Sequence, residues 1–255
     1  MEENRSSDEP RGEPHRRLGF KAFAGQFLSE LVNIDRGVPG TFLALFRRPE
    51  EVVRDYFDGH DRYMNPFRYV VVIVTIVTLI LSAVVDFEEF YLRMVEAGIG
   101  MGHQESLEAM PEGMSIYFEE LFRVGWLMTS KYMPVTFILL LSPALAVTSY
   151  LFFKNRKSYF SQHFIMNMYL SAQASSFGLI TIPIIMQLEN MMNAAYVTLP
   201  LTLAYLVWFY KRNFALQGFG QYAQAVVSYI LGYVVYLVFL MIAQNLVTAL
   251  LVFVV

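Results

Sequence analysis

The chain has 255 residues, 56% of them apolar and 16% charged, with a formal net charge of −3 and no cysteine. A soluble domain carries about 25% charged residues, so the composition argues against a water-soluble globular fold. Without cysteine the chain has no disulfide framework, no thiolate metal site and no thiol nucleophile. The last 135 residues contain a single acidic residue, Glu189, which is typical of a chain embedded in a bilayer. We therefore predict an all-α, polytopic bundle of membrane helices.

The region before the first long apolar run predicts a tail followed by helices. Residues 1–17 are polar and charged and contain proline, which predicts a disordered tail. Residues 18–66 predict cytoplasmic amphipathic helices that lie on the membrane surface or pack under the bundle. Thr41 is expected to be the N-cap of a short helix. Pro49 is expected in the first turn of the next helix, which stops at Gly59.

Five apolar segments predict a transmembrane bundle over residues 67–255. A helix needs about 20 residues to cross a hydrocarbon core of about 30 Å, and the first four segments each fit one crossing. The last segment is longer than one crossing requires. It predicts a tilted or projecting helix, with a bend near Gly232 and a re-entrant tail as the alternative. The predicted spans are 67–85, 133–153, 164–188, 194–210 and 223–255.

The positions of lysine and arginine predict the orientation of these spans. Eleven of the 19 basic residues precede the uncharged core of the first span, and later loops alternate between basic and neutral or acidic. The positive-inside rule then places the N-terminus in the cytoplasm and the C-terminus outside, after five crossings. The first loop, 86–132, is extracytoplasmic in this arrangement. Its segment 116–128, IYFEELFRVGWLM, predicts an amphipathic helix along the outer surface.

A stretch of the N-terminal region resembles a known family. It has the sequence FLSELVNIDRGVPGTFLALFRRPEEVVRDYFDGHDRYMNPFRY over residues 27–69. Its Asp-Arg-Gly, Arg-Pro, Arg-x-Tyr and Asn-Pro-Phe elements resemble the DUF3667 family of bacterial membrane proteins of unknown function. The matching positions are Asp35, Arg36, Gly37, Thr41, Arg48, Pro49, Arg54, Tyr56, Gly59, Arg62, Tyr63, Asn65, Pro66 and Phe67.

This resemblance implies a protein of the bacterial cytoplasmic (inner) membrane with no assigned activity. Many family members begin with a zinc-ribbon-like cysteine cluster, which this chain lacks because it has no cysteine. The five-span plan with a cytoplasmic N-terminus is also similar to that of Yip1-type proteins, as an architectural analogy.

The arginines of the family-like stretch are the first candidate site. Four of them are expected at the level of the cytoplasmic headgroups, where a guanidinium group binds phosphate with two parallel hydrogen bonds. The alternative is that these arginines fix the orientation of the first span and pair with neighbouring carboxylates. The candidate lipid- or phosphate-binding residues are Arg48, Arg54, Arg62 and Arg68.

A second hypothesis joins acidic residues and histidines into a metal or acid–base cluster, because histidine titrates near neutral pH and binds metals. No recognised metal-ligand spacing supports it, and Gly59 is expected to break the helix within the group. We therefore predict no metal site and no catalytic residues. The residues concerned are Asp55, Asp58, His60, Asp61 and His163.

The third and fifth spans carry a polar face inside the bilayer. Small and hydroxylated residues let helices approach closely and form hydrogen bonds, which is the interpretation we favour. The alternative is a polar pathway for an uncharged or amphipathic solute. No span interior contains an ionisable Asp, Glu, Lys, Arg or His residue, which argues against a proton-coupled pump. The residues of this face are Asn167, Ser171, Gln173, Ser175, Gln224 and Ser228.

Three functions follow as hypotheses. The first is a non-enzymatic membrane protein that organises lipids or partner proteins. The second is a channel, lipid-handling protein or transporter for an uncharged or amphipathic solute, with its pathway between the third and fifth spans. The third is an intramembrane enzyme acting on a headgroup, which lacks support because no phosphate loop, nucleophile motif or Asp-rich metal motif is present. Expected partners are membrane lipids, with a second copy or another membrane protein as alternatives. Neither a nucleic acid nor a cofactor is expected.

Overall fold

Helices make up the regular structure of the computed structural model, which describes residues 37–83, 110–156, 159–180 and 192–253. No strand occurs within these ranges. The expected tail, the expected helix before residue 37 and most of the loop 86–132 lie outside the described residues. The helices are α1 Gly37–Arg47, α2 Pro49–Phe57, α3 Pro66–Ser82, α4 Glu112–Thr129, α5 Met133–Phe153, α6 Phe160–Ser175, α7 Met192–Phe214 and α8 Phe219–Phe253.

Helix α2 begins and ends where the sequence predicts. Pro49 occupies its first turn, where the missing N–H has no intrahelical partner to lose. At the other end Gly59 adopts φ +72°, and the N–H of His60 donates to the carbonyl of Asp55 over 3.0 Å. This is a Schellman arrangement, in which a left-handed glycine lets the chain fold back over the last turn. The predicted stop at Gly59 is confirmed.

The prediction for Thr41 is wrong. Helix α1 begins at Gly37, so Thr41 lies inside the helix and does not cap it. Its buried Oγ1 instead accepts a hydrogen bond from the N–H of Met64, over 2.9 Å. The hydroxyl therefore satisfies a distant backbone donor, and sequence spacing alone could not reveal that partner.

Helix α3 starts on a capping signal. The side chain of Asn65 accepts from the N–H of Phe67 over 3.0 Å, and Pro66 follows in the first turn. These two residues end the preceding loop and fix the start of the apolar helix. The helix runs to Ser82, three residues short of the predicted end of the first span; the last two of those residues lie outside the described ranges.

Helix α5 contains a π-helical turn at Phe137–Leu141. Pro143 lies just beyond this turn and has no N–H to continue the i to i−4 ladder. A π turn accommodates such a break without ending the helix, and α5 continues to Phe153. The predicted second span and α5 have the same bounds.

Helix α6 is the centre of the fold. Nine consecutive residues, 165–173, are buried, so this helix is covered on all sides. It packs against α3, α5 and α7, and it also touches α1. It begins four residues before the predicted third span, and helical structure continues over 177–180. Residues 181–188 of that span lie outside the described ranges.

Helix α8 packs chiefly along α5 and α4 and is a continuous helix of 35 residues. At 1.5 Å per residue it is about 52 Å long, which exceeds the ~30 Å core of a bilayer. Because α8 is helical throughout 219–253, the alternative of a re-entrant turn near Gly232 is wrong for these residues. An added Cβ at Gly232 would lie 2.7 Å from Thr148 Oγ1 and 3.1 Å from the Cα of Leu145, so α8 and α5 are in close contact there.

Candidate functional site at the basic end of the helices

Hydrogen bonds bring the ends of α3, α5, α7 and α8 to one end of the fold. Tyr169, past the middle of α6, donates its hydroxyl to the carbonyl of Met64, just before α3, over 2.7 Å. Tyr210, near the end of α7, donates to Asn167 Oδ1 on α6, also over 2.7 Å. Gln224, near the start of α8, donates to the carbonyl of Phe152 at the end of α5, over 3.1 Å.

Basic residues from three parts of the chain lie next to these contacts. Arg68 is in the first turn of α3, Lys154 and Arg156 follow α5, and Lys211 and Arg212 are in the last turn of α7. Neighbouring helices therefore run in alternating directions, and their basic termini meet. We call this region the basic end.

The family-like stretch is attached to the basic end by side chains of α7. The hydroxyl of Tyr205 donates to the carbonyl of Leu45 over 3.1 Å, and Trp208 Nε1 donates to the carbonyl of Phe46 over 3.3 Å. These carbonyls belong to the last turn of α1, whose carbonyl groups have no partner within the helix. Helix α7 thus caps α1 from a distance of about 160 residues in sequence. Leu45, Val52 and Val53 are buried in the same core.

Ion pairs separate three of the four candidate arginines into two groups. Arg48 NH1 lies 3.2 Å from Glu51 Oε2, while Glu50 pairs with Arg212 of α7. Arg54 and Arg62 are exposed, and neither forms an ion pair with a described residue. Arg48, at the N-cap position of α2, therefore has a partner in the first turn of that helix, whereas the charges of Arg54 and Arg62 face solvent.

Arg68 differs from the other three candidates because it is half-buried in the first turn of α3. Arg68 is the third residue of α3 and directly precedes the apolar part of that helix. Its position therefore marks where the basic end meets the apolar part of α3. The four candidate arginines thus share one end of the fold but not one environment.

The polar face predicted on the third span forms a buried network. Asn167 Nδ2 donates to Ser149 Oγ over 2.9 Å, and Ser149 Oγ lies 3.0 Å from His163 Nδ1. Asn167 Oδ1 accepts from the hydroxyl of Tyr210, so one asparagine links α5, α6 and α7. All four side chains are buried, with 0% of each residue exposed. Ser149 and His163 therefore lie inside the packed helices and not at a solvent-exposed surface.

The remaining polar residues of that span have different partners. Gln173 Oε1 accepts from the hydroxyl of Tyr69 on α3, whereas Ser171 Oγ lies 3.4 Å from Ser142 Oγ on α5. Ser175 donates to the carbonyl of Ala172 in its own helix over 2.7 Å. Asn167, Ser171 and Gln173 therefore join α6 to α3, α5 and α7, whereas Ser175 forms its hydrogen bond within α6.

The two candidates on the fifth span lie against α5. Gln224 donates to the carbonyl of Phe152, as described above. Ser228 is buried in the same helix, and its Oγ has no hydrogen-bond partner among the described residues. Helices α6 and α8 each pack on α5. Close helix packing therefore accounts for Gln224 and Gly232 but leaves the hydroxyl of Ser228 unexplained.

The hypothesis of an acidic–histidine cluster finds no geometric support. Asp55 is buried and accepts from the N–H of Tyr63 over 3.3 Å, and His60 Nδ1 lies 3.9 Å from its carboxylate. His163 belongs to the network on α6 and packs against the rings of Tyr150 and Phe214. Across the part of the chain that the structure describes, no three His, Asp or Glu residues lie close enough together to hold a metal ion.

Sequence reasoning missed several residues that build this end of the fold. Ser149 and Ser142 are seven residues apart in an apolar helix, which places both on one face, and that spacing was a usable signal of a helix-packing face. Tyr205, Trp208 and Tyr210 resemble ordinary interface aromatics in the sequence. Their hydrogen bonds to α1 and α6 depend on tertiary contacts that leave no local pattern.

The far side of the fold has one polar pair with a clear electrostatic effect. Arg123 Nε donates to Glu120 Oε2 over 2.8 Å on α4. This hydrogen bond and the positive charge of Arg123 hold the pKa of Glu120 below its usual value. Near this pair, Tyr117 of α4 donates its hydroxyl to Asn245 on the distal half of α8 over 2.8 Å.

Taken together, the described helices and their basic end define an all-α protein with an apolar bundle. Two of its helices, Met133–Phe153 and Phe219–Val252, are long and apolar enough to cross a membrane, judged by length and composition. Helix α3 is apolar but has only 17 residues. The helices predicted in the five apolar segments are present, and the first, third and fourth remain predictions as membrane spans.

Comparison with known families gives one match. The family model described as "Protein of unknown function (DUF3667)" matches residues 35–78, which include α1, α2 and most of α3. The predicted resemblance to DUF3667 is confirmed over these residues. Comparisons with curated proteins and with solved structures give no match.

Proposed function

We propose that the protein is a multi-pass membrane protein of the bacterial cytoplasmic membrane that organises anionic lipids at its basic end and is not an enzyme. The basic end would face the cytoplasm, as the positive-inside rule predicts for five crossings. The observation that carries the proposal is the pair of exposed arginines, Arg54 and Arg62, on a segment that buried hydrogen bonds attach to the bundle. A fixed segment presents these charges at a constant position beside the start of α3.

The surface of α8 supports a position in the membrane. Only 28% of its most apolar window is buried inside the protein, so most of this helix presents apolar side chains outward. Soluble monomers rarely expose continuous apolar patches larger than a few hundred Å². Lipid chains would cover this surface at no cost in solvation. Its exposed residues include Leu231, Val234, Leu237, Val238, Met241, Ile242, Leu246, Leu250 and Leu251.

The chemistry of the exposed arginines supports lipid headgroups as their ligands. A guanidinium group presents a rigid fork of N–H donors that matches two oxygens of a phosphate. Because neither Arg54 nor Arg62 pairs with a described carboxylate, binding would not first require an ion pair to be broken. Each basic residue near an anionic membrane surface contributes about 1 kcal/mol of attraction.

Lipid binding by the two arginines is tested by native mass spectrometry of the full chain purified in a mild detergent. The double variant Arg54→Gln, Arg62→Gln is expected to retain about 10-fold less phosphatidylglycerol, since a charge-assisted hydrogen bond contributes about 1.5–3 kcal/mol. Lys131→Gln is the control, because this exposed residue precedes α5 at the opposite end of that helix. Equal lipid retention by the double variant and the control would contradict the proposal.

The topology has its own test, which the absence of cysteine makes simple. Single cysteines replace Gln217, between α7 and α8, and Ser115, in α4, and intact cells are treated with a membrane-impermeant maleimide. The Ser115→Cys variant is expected to react in intact cells, and the Gln217→Cys variant only after lysis. The reverse pattern would invert the proposed orientation, and reaction of both sites in intact cells would contradict the five-span arrangement.

A further inference from the structure

A cavity of about 190 Å³ lies at the basic end, between the end of α5 and the start of α8. It is separate from Arg54 and Arg62, which do not line it. The lining combines three apolar residues with four polar ones, and none of the seven is acidic. They are Phe152, Phe153, Asn155, Arg156, Leu216, Gln221 and Gln224.

From its charge and size we infer that this cavity is a binding site for a phosphate group, carried by a lipid headgroup or by a small soluble molecule. The first observation is the guanidinium of Arg156. Arg156 is exposed, and it forms no ion pair with any residue in the described ranges. An arginine without a carboxylate partner, at the wall of a cavity without acidic residues, favours an anionic ligand.

The helix ends at the cavity do not cancel the positive charge of Arg156. The C-terminal carbonyls of α5 would disfavour an anion, because they form the negative end of the helix dipole. Two of them are already engaged: the carbonyl of Phe152 accepts from Gln224 Nε2, and that of Phe153 accepts from the N–H of Arg156 over 2.8 Å. The ring of Tyr222 in the first turn of α8 lies under the ammonium of Lys211, 5.9 Å from the ring centroid, which adds a second cation near this terminus.

The amides at the wall provide further donors. Gln221 lies in the first turn of α8, where its Oε1 accepts from the N–H of Gln217 over 3.0 Å. This hydrogen bond orients the amide group, so the NH₂ group of Gln221 points away from that N–H. Asn155 is exposed beside Arg156 and offers a second amide. A guanidinium fork combined with neutral amide donors is a suitable environment for phosphate oxygens.

The size and apolar wall of the cavity restrict the ligand. Pockets that take drug-sized molecules measure about 300–1,000 Å³, so this cavity admits a phosphate with a short attached fragment and not a nucleotide. Phe152, Phe153 and Leu216 form an apolar side that suits a glyceryl group. A phospholipid would place its headgroup in the cavity and leave its acyl chains outside.

The decisive experiment compares Arg156→Gln with Lys154→Gln in the full chain. Lys154 is exposed two residues earlier and does not line the cavity, so both variants lose one charge from the same turn. Binding is measured with two probes: glycerol 3-phosphate added to delipidated protein in neutral detergent, and nanodiscs of phosphatidylglycerol compared with phosphatidylcholine. Arg156→Gln is expected to weaken binding by about 10-fold or more and Lys154→Gln by less than about 2-fold.

The two probes distinguish the source of the phosphate. Weaker binding of glycerol 3-phosphate in Arg156→Gln identifies a site for a soluble phosphate ester. A loss confined to phosphatidylglycerol identifies a lipid headgroup. Equal effects of the two substitutions, or no effect of either, would overturn the inference. The proposed function is tested by substitutions at Arg54 and Arg62, which do not line the cavity. Lipid binding by these two arginines and phosphate binding in the cavity can therefore fail independently.

A second variant covers the case in which Arg156→Gln unfolds. Gln221→Leu keeps the approximate size of the side chain but removes its amide donor from the wall. If its thermal unfolding matches that of the parent chain, its phosphate binding is expected to fall by about 5-fold, as for the loss of one neutral hydrogen bond. A folded Gln221→Leu variant that binds phosphate as tightly as the parent would overturn the inference.

Discussion

The basic end and the rest of α8 are held to the fold in different ways, apart from the hydrogen bond between Tyr117 and Asn245. At the basic end, directional hydrogen bonds join α1, α3, α5, α6 and α7, and many of the bonding groups are buried. Along α8, many side chains are exposed and apolar, and the contact with α5 depends on close backbone approach at Gly232. Directional bonds fix the relative positions of helices, whereas apolar and small residues fix only their separation.

This difference indicates where each half can tolerate change. Hydrogen bonds to backbone carbonyls specify one geometry, so the basic end can hold charged groups such as Arg54 at constant positions. If α8 lies in the membrane as proposed, its outer face would accept any apolar residue, because lipid would cover it without a required pattern. We therefore expect substitutions to have large effects at the basic end and at Gly232, and small effects on the outer face of α8.

The largest expected effect is at the α5–α8 contact. Gly232→Ala places a Cβ 2.7 Å from Thr148 Oγ1 and 2.8 Å from Leu145 Cδ2, which forces the two helices apart. The free energy of unfolding, measured by titration with denaturing detergent, is expected to fall by about 2 kcal/mol or more. Gly220→Ala is the matched control in the same helix, because no atom lies within 4 Å of its added Cβ. If Gly232→Ala leaves the free energy of unfolding unchanged, the contact between α5 and α8 is looser than the distances indicate.

Next in size is the loss of the Thr41 hydroxyl. Thr41→Val leaves the N–H of Met64 buried without an acceptor, which is expected to lower the free energy of unfolding by about 1–2 kcal/mol. Thr41→Ser keeps the hydroxyl and serves as the control. Hydrogen exchange of the Met64 amide gives a second measurement, with faster exchange expected in Thr41→Val only. If both variants exchange alike, the hydroxyl does not satisfy this amide.

A smaller effect is expected where α7 meets the basic end. Tyr210→Phe removes the donor to Asn167 Oδ1, and a hydrogen bond between packed helices contributes about 1 kcal/mol. Tyr159→Phe is the control, since Tyr159 is 69% exposed at the same end. Thermal unfolding of both variants in nanodiscs would separate them. If the unfolding temperatures of the two variants shift equally, the hydrogen bond from Tyr210 to Asn167 does not stabilise the protein.

The smallest effect belongs to the pair on α4. The pKa of Glu120 is lowered, so its pairing with Arg123 stabilises the protein above the usual range of glutamate and is lost as the pH falls through the lowered pKa. Because the pair is close to the surface, Glu120→Gln is expected to cost less than about 0.5 kcal/mol at neutral pH and nothing in acid. The free energy of unfolding measured at both pH values checks this. If Glu120→Gln lowers the free energy of unfolding equally in acid, the effect does not arise from the ion pair with Arg123.

Much of the secondary structure could be predicted because its signals are local. Pro49, Gly59 and the Asn65-Pro66 pair act within one turn of themselves, and each marks a helix end that the structure contains. The described part of α1 already begins at Gly37, five residues before the first helical position that an N-cap at Thr41 implies, because threonine is a common N-cap residue but also occurs inside helices. Asn167, Ser171 and Gln173 of the predicted third span are buried, but the sequence did not identify their partners on three helices.

The sequence by itself determined the helical segments, the apolar character of α5 and α8, and the alternation of basic residues that brings the basic termini together. These properties follow from composition and from periodicity along the chain. The tertiary structure alone decided that Gln173 binds Tyr69, that α7 caps α1, that Arg48 has a carboxylate partner while Arg54 has none among the described residues, and that Arg156 lines a cavity. A periodic pattern specifies which face of a helix is buried, but the partner on that face depends on packing between residues as many as 160 positions apart.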